Sequence, residues 1–499
     1  MTWLSLWLAV AAGQSDQNDP HNEAEMFGGP PVEAAQDAGN PPQMAPRERE
    51  DALFGGELTA DGGTDERDER MLSAIGKNRF DTGEEKTDPL KIGGTLYMRA
   101  QAYWSENGSP DKVTFSAPNL LDAYLDAQPI DRVRGVVVGR LLYEPTRATG
   151  QASGFTGQGL STVQVPQSNL SVFLDQMYLR FDIARTVFVT VGRQKIKWGT
   201  GRIWNPTDYI NAQRRDPLQP FDLRLGVNAV KLHLPIEKLG WNFYAYGLLD
   251  NNGPASTLGQ LGLATRAEIV IPKVRAEIGL DAAFVQGKRP RYGLDISVPL
   301  PDPIPVDLFC EIAFRDGRDF TVRRVREGVD PTKDPFGFYS EQQGSGVIAQ
   351  VTGGLALAIP FLDINVLTIG VEYFYNPVGV NSALLYPILF AADDYLAFYA
   401  AQHYAAAFVL LAGLPNARWI SGNFTTLLNL TDLSGLVRLD MFFRVLTYLS
   451  IEAFVAANFG NRGGELRPYF PAIALPNGQL TPFVPAPAAS FGLGLRVNL

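Results

Sequence analysis

The sequence predicts an all-β fold: a transmembrane, antiparallel, up-and-down β-barrel preceded by a disordered N-terminal tail. Three observations carry that expectation. The final residues, Ser490–Leu499, put Phe491, Leu493, Leu495, Val497 and Leu499 on one face of a strand and Ser490, Gly492, Gly494, Arg496 and Asn498 on the other. A strand in lipid cannot leave its edge unpaired, so the sheet that holds it must close. The same period of two recurs from Lys91 onward, whereas no apolar run reaches the roughly 18 residues that a membrane helix needs. Connections between strands alternate between short and long, as outer-membrane barrels require. A mean hydropathy of -0.05 over 499 residues fits a wall whose apolar band occupies only every second position.

Residues 1–13 (MTWLSLWLAVAAG) form a short apolar stretch ending in Ala9-Val10-Ala11, the pattern of a secretory signal with a small-residue cleavage site. It lacks a basic start, so the true start codon is expected upstream. Residues 14–90 carry 19 acidic and 7 basic residues; with 53 and 43 in the whole chain, 34 and 36 remain for the rest. The chain's acidity therefore belongs to this segment. It is poor in large apolar residues and is expected to be a disordered periplasmic tail, with a short helix over Met71–Arg79.

The barrel is expected over residues 91–499. Leu96, Met98, Ala100 and Trp104 alternate with Thr95, Tyr97, Arg99 and Gln101, and Val274–Phe284 repeats the pattern with charges of both signs on its polar face. Short connections are expected at 128–132, 184–186, 235–240, 272–273, 299–305, 360–363, 414–417 and 446–449. Long ones fall at 105–116, 146–168, 195–221, 316–345, 376–402 and 460–486. The parity closes with 18 strands; 16 remains open because the strands ending near Tyr375 and at 405–413 are weakly marked. Cys310 is the only cysteine, which excludes an intrachain disulfide, and it reads as a small apolar residue facing lipid.

The densest run is Gly192–Asn211, GRQKIKWGTGRIWNPTDYIN. It leaves one strand and enters the next at the outer end of the barrel. Arg193, Lys197, Trp198, Arg202, Trp204, Tyr209, Arg214 and Arg215 are the candidate substrate-contacting residues, because aromatic rings stack on sugars and cations attract acidic groups. The same residues could instead form a girdle and a loop that braces the wall. From Gly192-Arg193-Gln194 to Trp204-Asn205-Pro206-Thr207-Asp208 the chain resembles envelope barrels with a W-G-x-G-x-x-W-N-P-x-D run. With the inferred strand number it also resembles outer-membrane exopolysaccharide exporters of the alginate-export kind. The resemblance implies passage of a polymer or solute, although this barrel is nearly neutral where those exporters have a strongly cationic pore.

Projection by period puts Arg99, Arg134, Arg140, Arg275, Arg291, Arg438 and Arg444 on the lumen wall, with Arg180, Arg224, Arg266, Arg315 and Arg496. Acidic residues of the same face, among them Glu268, Asp281, Asp295, Glu311, Glu372, Asp440 and Glu452, are expected to pair with them. The apolar stretch Leu384–Gln402 fits a short helix after Pro387 that caps or plugs the pore, lies at the membrane interface, or simply packs on the inner wall. Neither a metal-ligand spacing nor an assembled Ser/His or Cys/His set is legible, so no enzyme activity, metal or cofactor is expected. Mixed charge argues against nucleic acid as a partner. The expected partners are outer-membrane lipid, the barrel-assembly machinery and, through the acidic tail, a periplasmic polysaccharide-export component. The expected function is a conduit in the bacterial outer membrane for exported polysaccharide. A general or small-solute porin and a closed structural or adhesion barrel are the alternatives.

Overall fold

The computed structural model describes residues 89–499 except 107–112, 131, 147–154, 157–158, 161–168, 212–213, 220–221, 250–260, 302–303, 331–332, 335–336, 362–364, 393, 415–416 and 470–485. The signal and tail expectations lie outside the described residues. Eighteen strands form the wall. In chain order they are β1 (Leu90–Ser105), β2 (Asn119–Ile130), β3 (Val133–Tyr143), β4 (Leu170–Ile183), β5 (Val187–Gln194) and β6 (Val227–Ile236). Next come β7 (Trp241–Leu248), β8 (Gly262–Ile271), β9 (Ala276–Phe284), β10 (Arg291–Pro299), β11 (Val306–Asp316) and β12 (Val347–Phe361). The last six are β13 (Asn365–Tyr375), β14 (His403–Leu411), β15 (Ile420–Asn429), β16 (Ser434–Leu446), β17 (Leu449–Gly460) and β18 (Pro487–Asn498).

Each strand pairs antiparallel with the next, and β1 pairs with β18 from Thr95↔Asn498 to Ser105↔Pro487, which closes the sheet. The terminal strand has the faces expected of it. Leu493 is 64 % exposed on the outside, while Ser490 is buried inside. A Cβ on Gly492 would meet the Phe454 ring at 2.3 Å, so only glycine lets that ring lie flat on the lumen wall.

The wall is inside out relative to a soluble protein. Met98, Met177, Leu179, Leu232, Leu280, Leu308, Val371, Leu439, Val455 and Phe491 are exposed outward. Arg140, Gln176, Asp281, Asp295, Glu311, Thr352, Glu372 and Arg438 are buried on the inner face. An apolar band outside and a polar interior are stable only with lipid around the barrel, and the chain is an outer-membrane barrel. All eight short connections lie at one end, which the same rule places in the periplasm.

Salt bridges lace the inner face. Arg266 meets Asp281 at 2.8 Å, Asp295 at 2.7 Å and Glu268 at 2.9 Å. Arg140 pairs with Asp122, Arg134 with Asp126, Arg438 with Asp440 and Arg496 with Glu452. Two projected lumen residues are corrected. Arg275 occupies the short turn before β9 at φ 52° and is exposed there, because the turn spans 272–275, two residues more than the expected 272–273. Arg444 lies exposed beside the bulge that ends β16, at the rim rather than on the bore. Arg224 precedes β6 and is held inside by Asp208 and Asp222.

Long connections fold inward at the other end. The 376–402 segment contains the helix α1 (Tyr386–Ala391), with Pro387 in its first turn. Its Leu385, Tyr386 and Leu389 pack with Phe338, beside a hairpin of Thr321–Val325 and Tyr339–Gln343. The hydrophobic core of this molecule thus sits within the barrel mouth, where loops meet the wall.

Candidate functional site

The segment between β5 and β6, residues 195–226, turns into the lumen instead of outward. What holds it there are two wall carboxylates. Glu311 on β11 accepts from Thr200 N at 3.0 Å and Gly201 N at 3.1 Å with one oxygen. Its other oxygen accepts from Thr207 N and Thr207 Oγ1, both at 2.7 Å. Glu372 on β13 accepts from Arg202 N at 3.0 Å, Ile203 N at 3.2 Å and Trp204 N at 2.8 Å, and from Thr352 Oγ1 at 3.1 Å.

Consecutive backbone N–H groups that converge on an anion form a concave nest, and here the anion belongs to the wall. Charge-assisted bonds of this kind compensate the desolvation of a buried carboxylate without any cation. The sequence run is now readable. Gly199 takes φ 90°, and a Cβ there would meet Glu311 Oε2 at 2.3 Å. Thr207 supplies a hydroxyl, and Asn205 closes the turn by donating to Gly201 O at 2.7 Å. Asp208 accepts from Arg224 at 2.9 Å and from Asn211 at 2.9 Å.

The tryptophans are structural. Trp198 and Trp204 are each 1 % exposed, so neither offers a ring to a passing solute. Trp198 packs edge-on against Tyr246, with centroids 5.6 Å apart. Trp204 stacks on Phe374 at 5.8 Å and donates to Phe398 O at 2.9 Å, which ties the segment to the 376–402 loop. Arg193 is also corrected: it is the register partner of Met177, which is exposed to lipid, so it faces outward and donates to Leu174 O. The strand runs through Gln194, so Arg193 belongs to the wall and takes its face from the strand's alternation.

The remaining expected contacts are dispersed. Lys197 is exposed, Arg202 lies 5.6 Å from the Phe309 ring, and Arg215 is half-buried. Arg214 donates to Asn205 O and Asp208 O and lies over Tyr399 at 5.2 Å. Tyr209 donates to Tyr292 O and carries two guanidinium groups, Arg315 at 5.1 Å and Arg291 at 5.9 Å. Among the described residues, no carboxylate lies within 4.0 Å of either of those two arginines. The outer side of the folded-in segment is therefore rich in cations that the wall does not neutralise.

Sequence reasoning placed Glu311 and Glu372 on the lumen wall but expected arginine partners for them. Their cross-strand neighbours are Asp295 and Thr352, and Gly354 and Ala406, none of them cationic. That absence was the available signal, and it needs the register before it can be read.

Another buried acid lies in the outer loops. Glu465 accepts from Phe398 N at 2.6 Å, Tyr404 Oη at 2.5 Å and Asn429 Nδ2 at 2.8 Å. Burial, with the Asp432 carboxylate nearby, pushes the Glu465 carboxyl up to about 8.

No protein-family model matches this sequence, and no curated protein matches it. Among solved structures the chain is similar to OccAB3 and OccAB1 of Acinetobacter baumannii and to the outer membrane protein OpdK of Pseudomonas aeruginosa, with TM-scores of 0.47, 0.48 and 0.45. Identity is 8 % in each case, and the matches cover 82 %, 85 % and 82 % of this chain and 99 %, 99 % and 98 % of those chains. The resemblance to exopolysaccharide exporters finds no counterpart among these three.

Proposed function

We propose that this barrel is a passive outer-membrane channel for small solutes. One observation carries the reading: the lumen is crossed by a folded segment whose backbone is fastened to Glu311 and Glu372 on the far wall. A segment fixed in this way sets a bore for small molecules, and its unneutralised Arg291 and Arg315 favour anions over cations. An extended polysaccharide would have to displace it, so the export reading is the weaker one. Insertion by the barrel-assembly machinery, with β18 as the recognised end, belongs to the same reading.

Reconstitution tests it. Purified barrel in planar bilayers should give discrete conductance steps, and loaded liposomes should admit monosaccharides while excluding long dextrans. A barrel that is folded but silent, and that admits nothing, would favour the closed structural alternative. Admission of a long polyuronate would restore the export reading.

A further inference from the structure

The periplasmic rim carries a crescent of cations around the point where the N-terminal segment enters the barrel. Pro89 is fastened at that point, its carbonyl accepting from Gln128 N at 2.6 Å, and Leu90 pairs with Ala127 just before the 128–132 connection. Lys91 lies exposed beside this root. One way round the rim, Arg185, Lys238 and Lys273 are exposed on the connections that follow β4, β6 and β8. The other way, across the seam, Arg444 and Arg418 are exposed at the connections that follow β16 and β14. Among the described residues, none of these cations has a carboxylate within 4.0 Å. The two short connections on the opposite side, 299–305 and 360–363, contain no basic residue and one aspartate each. The cationic arc is therefore one-sided, and the chain's entry point lies within it.

Two features set this arc apart from an ordinary solvated edge. Arg185 stands in a two-residue turn in which Ala184 and Arg185 take φ 54° and 55°, closed by Thr186 N donating to Ile183 O at 3.1 Å. Both positions of that turn favour glycine or asparagine, yet one of them holds a charged side chain. The acid beside it, Asp182, is already bridged by Arg132 at 2.6 Å. The second feature is how charge is distributed along the segment that enters here. Residues 48–69 hold nine acidic and two basic residues, whereas residues 70–88 hold four of each. An acidic run is thus joined to the rim by a neutral tether. Fully extended, the tether spans up to about 65 Å. Eighteen strands about 4.8 Å apart and tilted by about 40° make a rim about 36 Å across. The run therefore reaches every cation of the arc.

One exposed ion pair is weak, but a tethered run meets many cations at once and at a high effective concentration. We propose that residues 48–69 dock on the cationic arc of their own barrel's periplasmic rim. The contact is electrostatic and many-centred, with carboxylates of the run against Arg185, Lys238, Lys273, Arg418 and Arg444. Phospholipid of the periplasmic leaflet offers phosphate to the same cations, and the exposed Trp419 and Tyr448 beside Arg418 and Arg444 suit a membrane interface. Lipid, however, surrounds the whole rim, whereas the arc covers one side of it and contains the root of the acidic segment. The docking surface lies outside the lumen, so the inference goes beyond the channel reading and does not rest on it.

Zero-length carbodiimide coupling tests the contact, because it joins a carboxylate to a lysine only where the two touch. It is applied to the full-length barrel folded in detergent, mixed with a 15N-labelled copy so that peptide mapping separates links within one chain from links between chains. Peptides of residues 48–69 should be joined to those holding Lys91, Lys238 or Lys273 of the same chain. In about 0.5 M NaCl, where the screening length falls to about 4 Å, the yield should drop several-fold. Asp65→Asn/Glu66→Gln/Asp68→Asn/Glu69→Gln should lower it by roughly tenfold, and Arg185→Gln/Arg418→Gln/Arg444→Gln by roughly threefold. Heat-modifiable migration on gels verifies that each variant is folded. Links confined to Lys77 and Lys86 of the tether, or found only between chains, would overturn the inference. Equal yields in wild type and both sets of variants would overturn it too, since the contact would then owe nothing to charge. Repeating the coupling in nanodiscs of phosphatidylcholine and of phosphatidylglycerol should give equal yields. Loss of the links in phosphatidylglycerol alone would assign the arc to lipid phosphate and sink the proposal.

Discussion

Glu311→Gln replaces one latch with its nearest isostere and so isolates charge and acceptor capacity from shape. The carboxylate uses one oxygen for Thr200 N and Gly201 N and the other for Thr207. An amide has one oxygen: turned one way its NH2 faces Thr200 N and Gly201 N, and turned the other it faces Thr207 N, while the Thr207 hydroxyl can rotate to accept from it. One or two charge-assisted bonds are lost, each worth about 1.5–3 kcal/mol, so the latch weakens by about 1.5–6 kcal/mol before relaxation. That is enough to shift a local open–closed equilibrium by about an order of magnitude or more. The wall ladder of β11 is untouched, so the barrel should keep its thermal stability. Single-channel recording should show larger and more frequent open levels, and Glu311→Gln/Glu372→Gln should hold the larger level. Trypsin should gain access to Lys195, Lys197 and Arg202 in parallel. If conductance is unchanged or falls while the folded fraction is equal, the two carboxylates do not set the bore and the argument from the amide nests fails.

Other outcomes follow from the same geometry. Reversal potentials in a salt gradient should show anion preference, and Arg315→Gln should reduce it; cation preference in the wild type would contradict the outer-side charge assignment. Glu465 gives a pH dependence of definite sign. Its folded pKa of about 8 exceeds the ordinary 4.5, so its contribution to holding Phe398, Tyr404 and Asn429 is complete below the ordinary value and is lost as pH rises through about 8. Amide exchange around Phe398, corrected for intrinsic rate, should therefore quicken from about pH 6 to about pH 9 in the wild type and not in Glu465→Gln. Identical curves would remove Glu465 as the cause. Leu493→Arg puts a charge on the lipid face of β18 and should cost about 2–4 kcal/mol near mid-membrane. Membrane levels equal to wild type would dispute the facing of that strand.

The wall was legible because its rule is local. Alternation in Ser490–Leu499, the short turns and the parity of strands need no knowledge of partners, and 18 strands are what the wall contains among the described residues. Arg275 and Arg444 escaped because period alone cannot tell where a strand ends and a turn or bulge begins. Trp198 and Trp204 were conspicuous as residue types, but whether a ring faces solute or core depends on which wall the loop reaches. The nests were hidden for a related reason: the groups that bind Glu311 and Glu372 are backbone amides, which every residue but proline possesses. Only the glycines of the run hinted at a close approach.

Those latches also impose an order on assembly. Gly201 meets Glu311 across 110 residues of chain, and Trp204 meets Glu372 across 168. Contacts so distant in sequence must wait for the intervening strands, because closing that length of chain costs entropy before any bond repays it. Until β5 and β6 stand opposite β11 and β13 in a closed sheet, the 195–226 segment has no far wall to grip, and Glu311 and Glu372 are without its amides. The narrow state is therefore a late one, whatever the order in which the strands are laid down. Insertion and narrowing are separable events in this chain: the sheet can close before the segment crosses it.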